Sequence, residues 1–117
     1  MKISEIKELL KATVLTGNDM LDQKVVGAGG ADLMDDVLNT AAKNAALLTG
    51  LTSEHVIRTA KVAGVGVVVF VRGKQPPEST IELARSNSIP TLLTDYSLFI
   101  ASGRLYMNGL RGLDGSW

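Results

Sequence analysis

Short apolar runs without polar alternation recur from residue 45 onward. They cover residues 45–49, 65–71 and 91–94, and such runs are typical of strands that are covered on both faces. Helical spacing of apolar positions fills the intervals at residues 53–63, which end at Gly64, and 77–88, which open on a proline. Strand, helix and strand in this order predict parallel crossover connections. The predicted fold class is therefore α/β, with a small, mainly parallel sheet flanked by helices.

The first third of the chain has a less regular pattern. Ser4 is predicted to cap a short helix with an apolar stripe, which consists of Ile6, Leu9 and Leu10. A strand over residues 12–16, a turn at Gly17 and a second short strand over residues 24–26 follow. The glycine-rich segment 27–30 is predicted to be a loop, and residues 31–38 return to helical spacing.

A last helix is predicted from about Asp95, because a set of residues recurs there at spacings of three and four. They are Phe99, Ser102, Tyr106 and Leu110. A chain of 117 residues has room for one core, so residues 1–110 are predicted to form a single domain. Residues 111–117 are predicted to be a C-terminal tail, in which Trp117 either frays or docks on a partner.

Composition narrows the class of function. Twelve basic and twelve acidic residues cancel, and only 4% of the residues are aromatic. This balance lacks the charge and the stacking surface of a protein that holds nucleic acid or an anionic membrane. The absence of cysteine excludes disulfides and thiolate metal sites and fits a reducing compartment. We therefore expect a cytoplasmic protein without nucleic-acid or membrane partners.

The glycines at 27–30 follow a predicted strand and precede a predicted helix, which is the context of a phosphate-binding loop. Asp32, Asp35 and Asp36 follow at once, and their negative charges would repel a bound anion. The same carboxylates could hold a divalent cation, but their position at a helix start is already explained by the helix dipole. We interpret the segment as a flexible turn.

Other catalytic and cofactor motifs are incomplete. Gly73 and Lys74 lack the upstream glycine and the following hydroxyl residue of a P-loop. His55 has no second histidine or cysteine to act with, and no Gly-x-Ser-x-Gly elbow occurs. We therefore predict a protein that is not an enzyme and has no catalytic residues, no metal site and no cofactor.

A candidate binding site is predicted where the parallel strands end. Open α/β sheets place their ligands just past the carboxyl ends of the strands. The residues at these ends are Thr49, Gly50, Thr52, Arg72, Gly73, Lys74, Thr94 and Asp95. Their hydroxyls and cations, together with helix N-termini, would receive a small anion or a nucleotide. The alternative is that these residues form ordinary solvated loops.

Four segments, taken in order and spacing, resemble the DRTGG domain over almost the whole chain, from Met1 to about Leu110. They are ADLMDDVL at 31–38, LLTG at 47–50, VFVRGKQP at 69–76 and IPTLLTDYS at 89–97. The resemblance implies a small α/β domain with a fold similar to the N-terminal domain of HPr kinase/phosphorylase. DRTGG domains occur in long bacterial phosphate acetyltransferases and between the paired CBS modules of some pyrophosphatases. The roles it implies are dimerisation and regulation, with no established catalytic residues.

Two points of the family signature differ in this chain. Leu51-Thr52 stands where the family has Asp-Arg, and Val71-Arg72-Gly73 stands where it has Thr-Gly-Gly. Our leading hypothesis is a stand-alone, non-catalytic regulatory or interaction module that forms a homodimer, with a protein partner as a further expectation. The second is a sensor that binds a nucleotide or another phosphorylated metabolite at the carboxyl ends of the strands. A phosphotransfer enzyme is the third.

Overall fold

The computed structural model describes residues 1–32, 34–35 and 42–113. Within them, five strands form one sheet in the order β1-β5-β4-β3-β2, and four helices accompany it. The strands are β1 (Thr13–Thr16), β2 (Ala28–Gly30), β3 (Ala46–Thr49), β4 (Val67–Phe70) and β5 (Thr91–Leu93). The helices are α1 (Ile3–Leu9), α2 (Glu54–Ala63), α3 (Glu78–Ser86) and α4 (Leu98–Met107). Most of the helix predicted over residues 31–38 and the predicted role of Trp117 lie outside the described residues.

The sheet is mainly parallel, which confirms the predicted fold class. Strands β2, β3, β4 and β5 pair in parallel, and β1 pairs antiparallel with β5. In the register of the three central strands, Thr49 lies opposite Phe70, and Phe70 lies opposite Leu93. The carboxyl ends of these strands therefore meet at one edge of the sheet.

The sheet separates two apolar clusters, because successive side chains of a strand point to opposite faces. One cluster joins Leu48, Val69 and Leu92 to α1 and α4. The other joins Leu47, Val68 and Phe70 to α2 and α3. Every residue of β3 and β4 is buried, as the runs without polar alternation predict.

Helix α2 begins one residue later than predicted and ends where the sequence predicts. Ser53 is its N-cap residue, and Gly64 is its C-cap in the left-handed conformation with φ of 74°. Glycine adopts this conformation without the steric cost that a Cβ imposes. Helix α3 begins one residue later than expected, with Pro77 as the N-cap rather than the first helical residue.

Two predictions in the N-terminal third are wrong. Lys2, not Ser4, is the N-cap of α1, because its backbone N–H donates to the Glu5 carboxylate at 3.0 Å and closes the first turn two residues earlier than predicted. The predicted strand over residues 24–26 is reduced to an isolated bridge between Lys24 and Lys2. Only Val25 of this segment is buried, whereas Val26 is 70% exposed.

The predicted glycine loop is also wrong, because residues 28–30 form the edge strand β2. A Cβ built on Gly29 would lie 2.9 Å from the Leu113 side chain, and one built on Gly30 would lie 2.9 Å from that of Leu98. These leucines pack on the strand because the glycines have no side chains. The glycines therefore serve close packing of an edge strand rather than a flexible turn.

The last helix begins later than predicted, and most of the residues that predicted it do not face the core. Ala101 and Leu105 are the buried residues of α4, whereas Phe99 is 84% exposed and Tyr106 is 47% exposed. Ser97 caps the helix by accepting from the Ile100 N–H at 3.2 Å, which fixes its start at Leu98 rather than Asp95. An apolar face of α4 thus remains exposed.

Candidate functional site

The edge formed by the carboxyl ends of β3, β4 and β5 brings the predicted binding segments together. Thr49 is the last residue of β3 and residues 50–52 follow it, residues 72–74 follow β4, and residues 94–95 follow β5. With Asp32, which follows β2, they form the surface that we call the carboxyl rim. Its order across the sheet is Asp95, Arg72, Gly50 and Asp32, since the strands lie in the order β5-β4-β3-β2.

Two of the three threonines of the predicted site, Thr49 and Thr94, are buried and support the rim through hydrogen bonds. The Thr94 hydroxyl donates to the Leu10 carbonyl at 2.7 Å, and the Thr49 hydroxyl donates to Asp32 Oδ1 at 3.1 Å. Both residues are at most 1% exposed. Thr94 faces α1, whereas Thr49 alternates with Leu48 and so belongs to the opposite face of the sheet. The structure therefore brings their strand ends together but not their hydroxyl groups.

Arg72 has an unusual backbone conformation. Its φ is 60°, in the left-handed region, and Gly73 follows with φ of 65°. Residues other than glycine rarely adopt this backbone conformation, which costs them about 1 kcal/mol. The turn is held by the Arg72 N–H, which donates to the Tyr96 carbonyl at 2.8 Å, and by the Gly73 N–H, which donates to the Thr94 carbonyl at 2.9 Å.

The Arg72 guanidinium lies over the backbone of Gly50. A Cβ built on Gly50 would lie 2.5 Å from Arg72 Nη2 and 3.6 Å from Asp32 Oδ1. Asp32 Oδ1 also accepts from the Gly50 N–H at 2.8 Å. Within the described residues, Arg72 forms no ion pair. Glycine at position 50 therefore leaves the space in which a cation lies next to a strand end.

The remaining predicted residues complete the rim with exposed polar groups. Lys74 and Asp95 are exposed, and Asp95 Oδ1 lies 2.9 Å from where a Gly73 Cβ would be. Thr52 is half-buried, and its carbonyl accepts from the Thr80 hydroxyl of α3 at 2.8 Å. Charges of both signs therefore occur along the rim. The cations Arg72 and Lys74 lie between the carboxylates Asp95 and Asp32.

Asp32 is the rim residue that sequence reasoning did not include in the site. The prediction treated it as part of an acidic helix start, and its contacts with Thr49 and Gly50 depend on pairing between β2 and β3. The signal that could have located it is its place directly after residues 28–30, had these been interpreted as a strand. A carboxylate after a parallel strand belongs to the same edge as the other strand ends.

A second surface lies on the exposed side of α4, which we call the α4 face. Its large exposed side chains are Phe99, Ile100, Tyr106 and Met107. Beside it runs a groove of about 420 Å³ between α4 and the glycine strand β2, and Gly103 lies on its wall. Arg111 covers the Tyr106 ring, with 4.6 Å between the guanidinium carbon and the ring centroid. Exposed apolar patches of this kind mark sites of association.

The other candidates lack such surroundings. His55 is an exposed residue in the first turn of α2. In the ranges 1–32, 34–35 and 42–113, no three His, Asp or Glu side chains gather as a metal site would require. Over the same ranges no helix has the length and apolar character needed to cross a membrane.

The protein is an α/β domain with a mainly parallel five-stranded sheet, and a similar fold occurs among solved structures. It is similar to the crystal structure of the CBS and DRTGG domains in the regulatory region of Clostridium perfringens pyrophosphatase, complexed with the activator diadenosine tetraphosphate. The TM-score is 0.75, with 17% sequence identity over 89% of this chain. The match spans 45% of that chain, less than half of its length. No protein-family model and no curated protein matches the sequence. The likeness supports a DRTGG-like fold.

Proposed function

We propose that this protein is a non-catalytic regulatory module that acts as a homodimer paired through the α4 face. The observation that carries the proposal is the exposure of large apolar side chains there, with Phe99 at 84% and Met107 at 85%. Burying such side chains contributes about 1.5–3 kcal/mol each. The α4 face has protruding side chains beside a groove, so it can pair with a second copy of itself. A two-fold axis places the side chains of each copy against the groove of the other.

Gly103 supports pairing at this helix. A Cβ built there meets nothing within 4 Å, so no contact inside the chain requires a glycine. Glycine within a helix costs about 1 kcal/mol relative to alanine. Its presence beside Phe99 and Tyr106 is explained if the helix of a second copy approaches closely at this point.

The mass of the protein in solution tests the proposal. Light scattering coupled to size exclusion should give about twice the chain mass of 12.4 kDa at micromolar concentration. Phe99→Glu and Met107→Glu should each give the monomer, because a buried charge in the pairing face costs several kcal/mol. Val62→Glu is the matched control, since Val62 is 78% exposed on α2, on the other side of the sheet. A monomer at all concentrations, or a dimer that survives both substitutions, would contradict this proposal.

A second candidate function, ligand sensing at the carboxyl rim, is favoured by Arg72. Its strained backbone and its guanidinium over Gly50 place a cation beside a sheet edge where α/β proteins bind ligands. The pyrophosphatase regulatory region that contains the similar fold consists of CBS and DRTGG domains and was crystallised with its activator, diadenosine tetraphosphate. We therefore propose a nucleotide or another phosphorylated metabolite as the ligand, with Arg72 and Lys74 as its charge partners and Thr49, Gly50, Thr52, Gly73, Thr94 and Asp95 forming the surrounding rim.

Thermal unfolding in the presence of nucleotides tests the second candidate. A ligand at a hundred times its dissociation constant should stabilise the protein by about 2.7 kcal/mol. Arg72→Ala should abolish the gain. Arg85→Ala is the control, because Arg85 lies near the end of α3, at the opposite end of the sheet, in an exposed ion pair with Glu82. No gain with any nucleotide, or an equal gain in both variants, would contradict the candidate.

A further inference from the structure

We infer that the carboxyl rim selects a phosphate ester that carries ribose hydroxyls over phosphate alone, with Asp95 as the hydroxyl acceptor. The inference rests on the proposed ligand-sensing function. It extends that function by stating which ligands the rim distinguishes and which residue distinguishes them. The observation behind it is the alternation of charge along the rim, in which Asp95 and Asp32 flank the cations Arg72 and Lys74.

The carboxylates oppose binding of a bare anion. Asp95 Oδ1 lies 2.9 Å from the Cβ position of Gly73, directly between the two cationic residues in sequence. Asp32 Oδ1 lies 3.6 Å from the Cβ position of Gly50, over which Arg72 Nη2 lies. Both carboxylates carry the same sign of charge as a phosphate bound in this part of the rim and therefore repel it. A bare phosphate therefore gains from Arg72 and loses to its acidic neighbours.

A ligand that also carries hydroxyl donors can form a favourable hydrogen bond with one of these carboxylates. Asp32 Oδ1 is occupied by the Thr49 hydroxyl and the Gly50 N–H, which fixes that carboxylate as part of the rim. Within the described residues, Asp95 has no hydrogen-bond partner for its side chain and is exposed. A carboxylate accepts from a hydroxyl in a charge-assisted hydrogen bond. We therefore assign the 5′-phosphate of a nucleotide to Arg72 and its ribose hydroxyls to Asp95, whose segments follow the neighbouring strands β4 and β5 and are joined by the hydrogen bond from the Arg72 N–H to the Tyr96 carbonyl.

Titration calorimetry with three probes tests the inference. The probes are adenosine 5′-monophosphate, its 2′,3′-dideoxy analogue and inorganic phosphate. The intact nucleotide should bind about tenfold more tightly than the dideoxy analogue, which keeps the phosphate and base but lacks the donors. Asp95→Asn should weaken the nucleotide about fivefold and strengthen inorganic phosphate about fivefold, since it removes both the acceptor charge and the repulsion.

Asp19→Asn is the matched control, because Asp19 lies beside Ser88 at the opposite end of the sheet. It should change neither affinity. Asp32→Asn provides a second variant, which should strengthen inorganic phosphate, since an amide oxygen still accepts from Thr49 and Gly50. Equal affinities for the nucleotide and its dideoxy analogue would overturn the inference while leaving ligand sensing intact. Failure of all three probes to bind would overturn both.

Discussion

Arg72 and Gly50 form a pair in which the cation occupies the space that a side chain at position 50 would fill. The distance from Nη2 to a Cβ built there is 2.5 Å, well inside van der Waals contact. Gly50→Ala should therefore push the guanidinium away while changing the free energy of unfolding by less than about 1 kcal/mol, because a flexible side chain moves readily. Urea unfolding and nucleotide titration measure the two effects, and loss of binding without loss of stability is expected.

Gly109→Ala is the comparison for steric crowding, since nothing lies within 4 Å of its Cβ position. Gly109 has φ of 101°, so this variant should lose stability through backbone strain and retain binding. Unchanged nucleotide affinity in Gly50→Ala would show that Arg72 does not act from this position.

Thr94 supports the rim through its buried hydroxyl. Thr94→Val keeps the shape of the side chain but leaves the Leu10 carbonyl and the Tyr96 N–H without their partner. We expect a loss of about 1–3 kcal/mol in the free energy of unfolding. Thr94→Ser keeps the hydroxyl and should lose less, which chemical denaturation will resolve. Equal losses in the two variants would assign the effect to packing.

The two sides of α4 should differ in their contributions to stability. Leu105→Ala removes a side chain that is 1% exposed and should destabilise the protein by about 2–5 kcal/mol. Phe99→Ala removes a larger but exposed side chain and should change the unfolding free energy of the monomer by less than about 0.5 kcal/mol. Chemical denaturation at a protein concentration too low for dimers to form compares the two variants. A large loss for Phe99→Ala would mean that the outer side is packed within one chain.

Much of the fold follows from local signals in the sequence. Ser53 and Gly64 mark the ends of α2, and the apolar runs mark β3 and β4, because capping chemistry and burial act within a few residues. The parallel order of the central strands follows from the helices between them. These features do not depend on which distant segment packs against which.

Two of the errors, at Gly29 and Asp32, have one physical cause, which is packing between segments far apart in the sequence. Gly29 belongs to a strand because Leu113 covers it, a contact no local pattern contains. The periodicity of α4 does not predict which side is buried, because the helix carries apolar residues on both sides. The place of Asp32 on the rim depended on the same misassigned strand.

The contact between Gly29 and Leu113 yields a further prediction. Gly29→Val should displace the leucine from the edge strand and lower the free energy of unfolding by about 1–3 kcal/mol. Combining it with Leu113→Ala should cost less than the sum of the single substitutions, since the space vacated by one side chain receives the other. A double-mutant cycle of urea unfolding measures the difference. Strict additivity would mean that the two residues do not interact.

The pairing of β1 with β5 joins segments that are distant in the chain. The Thr16 and Thr91 hydroxyls lie 2.9 Å apart across a separation of 75 residues. Contacts of such long range slow folding, because loop closure precedes the gain from pairing. During synthesis on the ribosome, β1 therefore stays unpaired until β5, near the end of the domain, has been synthesised. During that interval its exposed backbone is open to chaperones or to misassociation with neighbouring nascent chains.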